Sequence, residues 1–230
     1  MSEEGLLNTI KKIVHDVMEH NAMTASSNKY SANDPAFDAE HGVLKNMLGL
    51  TSEAALLHAE SEALIAAYEE AALGYSELHT FTADDVCRLH KLFLGGIFEW
   101  AGMYRTIDIS SPGIRWCHAQ YIDQEMARFD TLLRAATPLS PNLPHDEIIT
   151  KVAEIHGEFI AIHPFRDGNG RTGRMLANLM LMQAECPPFR MELFDTAEMQ
   201  EKYFAAIRDV WANVDYTKLT RLFAELVPKP

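Results

Sequence analysis

The chain has 230 residues, 47% of them hydrophobic, enough for one domain with a sizeable core. A formal net charge of −13 argues against a nucleic-acid backbone as the main partner. No run approaches the ~18 apolar residues of a membrane span, no signal-peptide pattern opens the chain, and Cys87, Cys117 and Cys186 are odd in number and lack metal-ligand spacing, which together suit a cytoplasmic protein.

In chain order, the spacing of Leu6, Leu7, Ile10, Ile13, Val14, Val17 and Met18 predicts an amphipathic helix over 4–19. A segment rich in Ser, Asn and Asp over 22–35 reads as a linker. Residues 1–27 are thus set apart from a domain over 28–230. A long helix is expected over 51–73, capped by Thr51 or Ser52, and another over 82–99, where Asp84 and Asp85 supply first-turn acids. Residues 103–118 alternate, with Ile107 and Ile109 apolar and Asp108 and Ser110 polar. Ser111-Pro112-Gly113 provides a turn, so this reads as a hairpin, with Ile114, Trp116 and His118 on the return strand. Helices then follow over 120–136, 145–162, 171–184, 196–211 and 215–226. The fold class is mainly α with one β-hairpin.

The densest chemistry lies in residues 163–174, His163-Pro164-Phe165-Arg166-Asp167-Gly168-Asn169-Gly170-Arg171-Thr172-Gly173-Arg174. Pro164 should end the helix before it, near His163. Gly168-Asn169-Gly170 is then a loop opening the next helix, and a glycine-rich loop at a helix N-terminus aims unpaired N–H groups at an anion. Arg171 and Arg174, three apart, share a face of that first turn. The helix dipole disfavours arginines there, and a bound polyphosphate would reverse the sign. Asp167 offers a hard oxygen beside the anion, as Mg²⁺ bound with phosphates requires. An imidazole, here His163, is the ordinary side chain that takes up a proton near neutral pH. The physical reading is a site for a nucleotide–Mg²⁺ complex with a general base at its edge.

These twelve residues match the Fic family signature His-Pro-Phe-x-Asp/Glu-Gly-Asn-Gly-Arg-x-x-Arg. The stretch Trp100-Ala101-Gly102-Met103-Tyr104-Arg105 through Ile109-Ser110 resembles the family's Trp-Ala-Gly-x-x-Arg segment, which leads into a hairpin flap over 103–118. Lys29-Tyr30 through Gly49-Leu50 looks like the start of bacterial Fic toxins, so the resemblance runs over residues 28–226. It implies a Fic-type helical bundle and a protein adenylyltransferase, which transfers AMP from Mg²⁺·ATP to a hydroxyl side chain of a target protein. It implies His163 as general base, Phe165 as the loop's buried anchor and Asp167 as the Mg²⁺ ligand. Gly168, Asn169 and Gly170 become the anion hole, and Arg171 and Arg174 the partners of the β- and γ-phosphates. Thr106, Ile107, Asp108, Ile109 and Ser110 of the flap become the docking edge for an extended segment of the target, by strand addition.

Doc-like kinases of the family carry Lys in place of the second loop glycine. Gly170 therefore favours AMP transfer over the alternatives of kinase, UMP-transfer or deAMPylase activity. The intact motif also argues against a degenerate binding module. Many Fic proteins carry an inhibitory Ser/Thr-x-x-x-Glu-Gly/Asn helix whose glutamate pairs with the second motif arginine, here Arg174. The only Glu followed by Gly or Asn is Glu4, and no Ser or Thr lies four residues before it. The expectation is a toxin restrained by a separate antitoxin, acting on a target such as a type II topoisomerase subunit.

Overall fold

The structure, a computed structural model, describes residues 35–111, 113–194 and 196–229. The helix expected over 4–19 and nearly all of the linker over 22–35 lie outside the described residues. Among the described residues the chain is mainly helical, as its sequence predicts. The helices are α1 (Glu53–Gly74), α2 (Ala83–Leu94), α3 (Ile122–Ala136), α4 (His145–Ile162), α5 (Asn169–Gln183), the short α6 (Met191–Phe194), α7 (Ala197–Asn213) and α8 (Thr217–Leu226).

Local chemistry sets these boundaries. Ser52 caps α1 by accepting from Ala55 N–H. Thr82 and Asp85 form a reciprocal capping box at the start of α2. That helix ends at Leu94, five residues short of the expected 99. Gly95 and Gly96 follow at once, and their backbone freedom disfavours helix continuation. The stretch expected as one helix over 120–136 begins with a 3-10 turn, Ala119–Tyr121, before α3. Helix α4 spans the predicted residues.

Helix α4 is the central element. Ile148, Ile149, Val152, Ala153, Ile155, Phe159 and Ile160 are all buried, on more than one face, because α3, α5, α7 and α8 pack around it. Helix α2 packs between α1 and α5, so the two arms of the motif at 163–174 emerge against a rigid wall. No described helix is long and apolar enough to cross a membrane.

Two short antiparallel hairpins decorate this bundle. One, β3 (Ser110–Ser111) with β4 (Ile114–Arg115), lies within the predicted flap and pairs Ser110 with Arg115 and Ser111 with Ile114. The other, β1 (Phe37–Asp38) with β2 (Val43–Leu44), is absent from the sequence reading. Strands of two residues show no alternation to read.

Candidate active site

Helix α4 delivers His163 to its own C-terminus in a left-handed conformation, φ 52° and ψ 58°. A non-glycine residue held there costs about 1–2 kcal/mol, so neighbouring contacts must impose the geometry. Arg105 supplies them. This buried guanidinium donates through Nε to His163 O (2.8 Å), and its own N–H donates to Pro164 O (2.9 Å). Its other nitrogens reach Ile107 O (2.6 Å) and Cys117 O, one on each arm of the flap. Arg105 therefore ties the catalytic loop and both flap arms to one planar group. Burial lowers its pKa, although an arginine stays charged.

The His163 ring is oriented by two contacts. Its Nδ1 lies 3.2 Å from Ile160 O, and a carbonyl only accepts, so Nδ1 carries the proton. In the neutral ring the lone pair is then on Nε2. The Trp116 ring, itself buried, stacks on the imidazole at 4.0 Å and 9° between planes. The flap thus covers one face of the candidate base.

Beyond His163 the loop is fastened from within. Phe165 is fully buried. Its N–H donates to Asn169 Oδ1 (2.9 Å) and its carbonyl accepts from Asn169 Nδ2 (2.8 Å). The side chain of Asn169 is thus spent on loop shape, and what it can offer an anion is backbone. Gly168 takes the left-handed position, φ 78°, where a Cβ would meet Leu94 Cδ1 at 2.8 Å. Its carbonyl accepts from Thr172 N–H, so α5 starts at Asn169, two residues before the expected 171. Gly168 N–H donates to Asp167 Oδ1 (2.8 Å).

His90 on α2 completes this floor. Gly102 N–H donates to its Nδ1 (2.7 Å), so Nε2 carries the proton and donates to Asp167 O (2.9 Å). Its ring stacks on Phe165 at 3.8 Å. Burial, the largest influence, pushes its pKa down to about 4, so it is neutral in the fold. The sequence reading treats His90 as a packing or surface histidine and gives Arg105 no separate role. Both act through partners 77 and 58 residues away, which no local pattern encodes.

The two motif arginines part company. Arg171 Nη1 pairs with Glu60 of α1, Arg171 Nη2 lies 3.7 Å from Asp167 Oδ2, and the guanidinium sits 4.8 Å over the Phe93 ring. Arg174 lies 5.5 Å over the Phe194 ring and has no hydrogen-bond or carboxylate partner among the described residues. Burial lowers its pKa, though it stays protonated. Beneath it, Gly173 lets α5 close on α4, where a Cβ would meet Phe159 at 3.0 Å and His156 at 3.3 Å. His156 is buried and bonds Tyr203 OH at 2.8 Å.

The structure gives the predicted docking edge an irregular form. Of Thr106, Ile107, Asp108, Ile109 and Ser110, only Ser110 lies in a strand. Ile109 packs against the core. Asp108 accepts from Ala119 N–H and His118 Nδ1, both at 2.8 Å, closing the base of the flap. The carbonyl of Ile107 is held by Arg105.

Residues 80–181 match the Fic/DOC family. Over 186 residues the chain is 32% identical to protein adenylyltransferase VbhT of Bartonella schoenbuchensis, covering 80% of this chain and 37% of that protein. Over 155 residues it is 28% identical to the probable protein adenylyltransferase Fic of Salmonella typhimurium, covering 66% of this chain and 74% of that one. Its fold is similar to the N-terminal Fic domain of a Bartonella effector protein from Bartonella sp. AR 15-3. The TM-score is 0.70 at 22% identity, over 84% of this chain and 90% of that one. It is also similar to BepC of Bartonella tribocorum with bound AMPPNP, with a TM-score of 0.70 at 18% identity, over 85% and 97% of the two chains.

Proposed function

We propose, from the Fic/DOC family domain that residues 80–181 form, that this chain is a protein adenylyltransferase moving AMP from ATP to a hydroxyl of a target protein. The observation that carries this reading is Arg174, a partly buried guanidinium with no acidic partner among the described residues, one turn into a helix that opens on a glycine. Such a group is poised for a phosphate.

In this reaction the target oxygen attacks the α-phosphorus and its proton passes to His163 Nε2. The bond between the α-phosphorus and its bridging oxygen to the β-phosphate breaks, and pyrophosphate leaves with the electron pair. The Nδ1–H bond to Ile160 O fixes the acceptor tautomer before the hydroxyl arrives. Arg174 and the first-turn N–H groups of α5 offset the charge on the phosphates.

Among the described residues no three His, Cys, Asp or Glu side chains converge as a metal cage. A lone carboxylate beside an anion site suits Mg²⁺ that arrives with the phosphates, and Asp167 is the residue that would hold it. The metal would supply charge neutralisation there.

Three finer parts of the reading rest on less. The flap segment from Thr106 to Ser110 docks the target's extended chain. A separate antitoxin brings a glutamate to Arg174 and restrains a cytoplasmic toxin, a role that the lack of an acidic partner at Arg174 supports. The type II topoisomerase target rests on the resemblance alone. Incubating the protein with ATP and a bacterial lysate, then mapping AMP adducts by mass spectrometry, tests the reading. Adducts on Ser, Thr or Tyr of target proteins, lost with His163→Ala, are expected. Lysates without adducts under conditions where the protein turns over ATP would contradict it.

A further inference from the structure

Helix α1 buries a stripe of Leu56, Leu64, Ala67, Tyr68 and Ala71, and Glu60 interrupts it. This carboxylate is only 9% exposed, a placement that costs free energy unless a cation meets it. Arg171 meets it from α5, 111 residues away in sequence. The same guanidinium lies over Phe93 and faces Asp167 Oδ2. One positive charge thus stands between two carboxylates, while Arg174, one turn further along, has none.

We infer that Glu60 is a positioning residue of the proposed nucleotide site: it commits Arg171 to orienting the Asp167 carboxylate and leaves Arg174 as the guanidinium that takes the phosphate charge. The inference rests on the nucleotide-site reading above and departs from the expectation that both arginines bind phosphate. Three fixed points explain why Arg171 would make a poor phosphate ligand. Nη1 is held by Glu60, the planar face is covered by Phe93, and the remaining edge faces Asp167. Turning to an anion would strand Glu60, a buried charge, without its partner.

The test is ATP binding to the full chain by equilibrium dialysis, with and without Mg²⁺, with urea denaturation confirming that each variant is folded. Arg174→Gln should weaken ATP binding about 10- to 100-fold under both conditions, as loss of a charged hydrogen-bond donor does. Arg171→Gln and Glu60→Gln should change metal-free binding less than about threefold, since neither group touches phosphate. Each should cut the gain in affinity that Mg²⁺ confers by about tenfold or more, as loss of an orienting partner to a metal ligand does. If Glu60→Gln does not fold, the Glu60→Met/Arg171→Met pair replaces both charges with apolar side chains of similar length and should keep the fold. It should lose the Mg²⁺ gain while keeping metal-free binding. Arg171→Gln weakening metal-free ATP as much as Arg174→Gln would overturn the assignment. So would a folded Glu60 variant with the full Mg²⁺ gain. A parent protein that binds no ATP would overturn the nucleotide-site reading itself.

Discussion

Two buried histidines beneath the site should make the protein acid-labile well above the carboxylate range. Burial, reinforced at His156 by the charge of Arg174, holds His156 down to about 3, and burial holds His90 down to about 4. In the unfolded chain both return to about 6.5. The folded pKa lies below the unfolded one, so the unfolded chain binds more protons between the two values. Stability is therefore complete above pH 6.5 and falls as pH drops toward 4 and 3. Each proton is worth about 1.4 kcal/mol per pH unit, so going from pH 7.5 to pH 5 should cost about 2 kcal/mol per histidine, about 4 kcal/mol for the pair. Urea denaturation at the two pH values measures this directly. His156→Gln keeps a hydrogen-bonding group near Tyr203 and removes the titration, so it should lower overall stability yet halve the pH-dependent fall. A variant whose fall equals that of the parent would refute the linkage, as would a parent that loses under about 1 kcal/mol.

Other perturbations probe the frame of the loop. Arg105→Met removes the donor for carbonyls on the catalytic loop and both flap arms, and should cost about 3–5 kcal/mol. Hydrogen exchange in residues 106–119 should then rise before that of the helical core, and unchanged flap protection would contradict the clamp role. Gly168→Ala places a methyl against Leu94 and a side chain at positive φ, for about 2–4 kcal/mol. Its thermal melt and ATP affinity should both drop, and an unaffected melt would show that the position is not under that constraint.

Local chemistry made much of this fold readable. Helix α4 runs over the predicted residues because Pro144 and Pro164 bracket it and its apolar residues recur at helical spacing. Asn169 shows where such reading stops. Two glycines flank it, and either could break the helix, but Gly168 takes the left-handed turn. The Asn169 side chain closes on Phe165 instead of lying in a loop. The spacing of Arg171 and Arg174 places them on one face, yet it carries no information about Glu60 or Phe194, which draw them apart. Glu60 did leave a trace, a charge at a position flanked four residues either way by Leu56 and Leu64. His90 left a fainter one, a polar residue on the buried stripe of α2 with Val86, Leu89 and Phe93. Both signals say that something must meet the group, and only the packing of distant helices says what.

The most direct measurement of the central claim is parallel incubation of the parent and His163→Ala with a bacterial lysate and ATP labelled on either the α- or the γ-phosphate. AMP transfer with His163 as the base predicts protein label from the α-labelled nucleotide only, and none from the variant. Protein label from the γ-phosphate would make the enzyme a kinase despite Gly170, and α-label that survives in His163→Ala would remove His163 from the role of base.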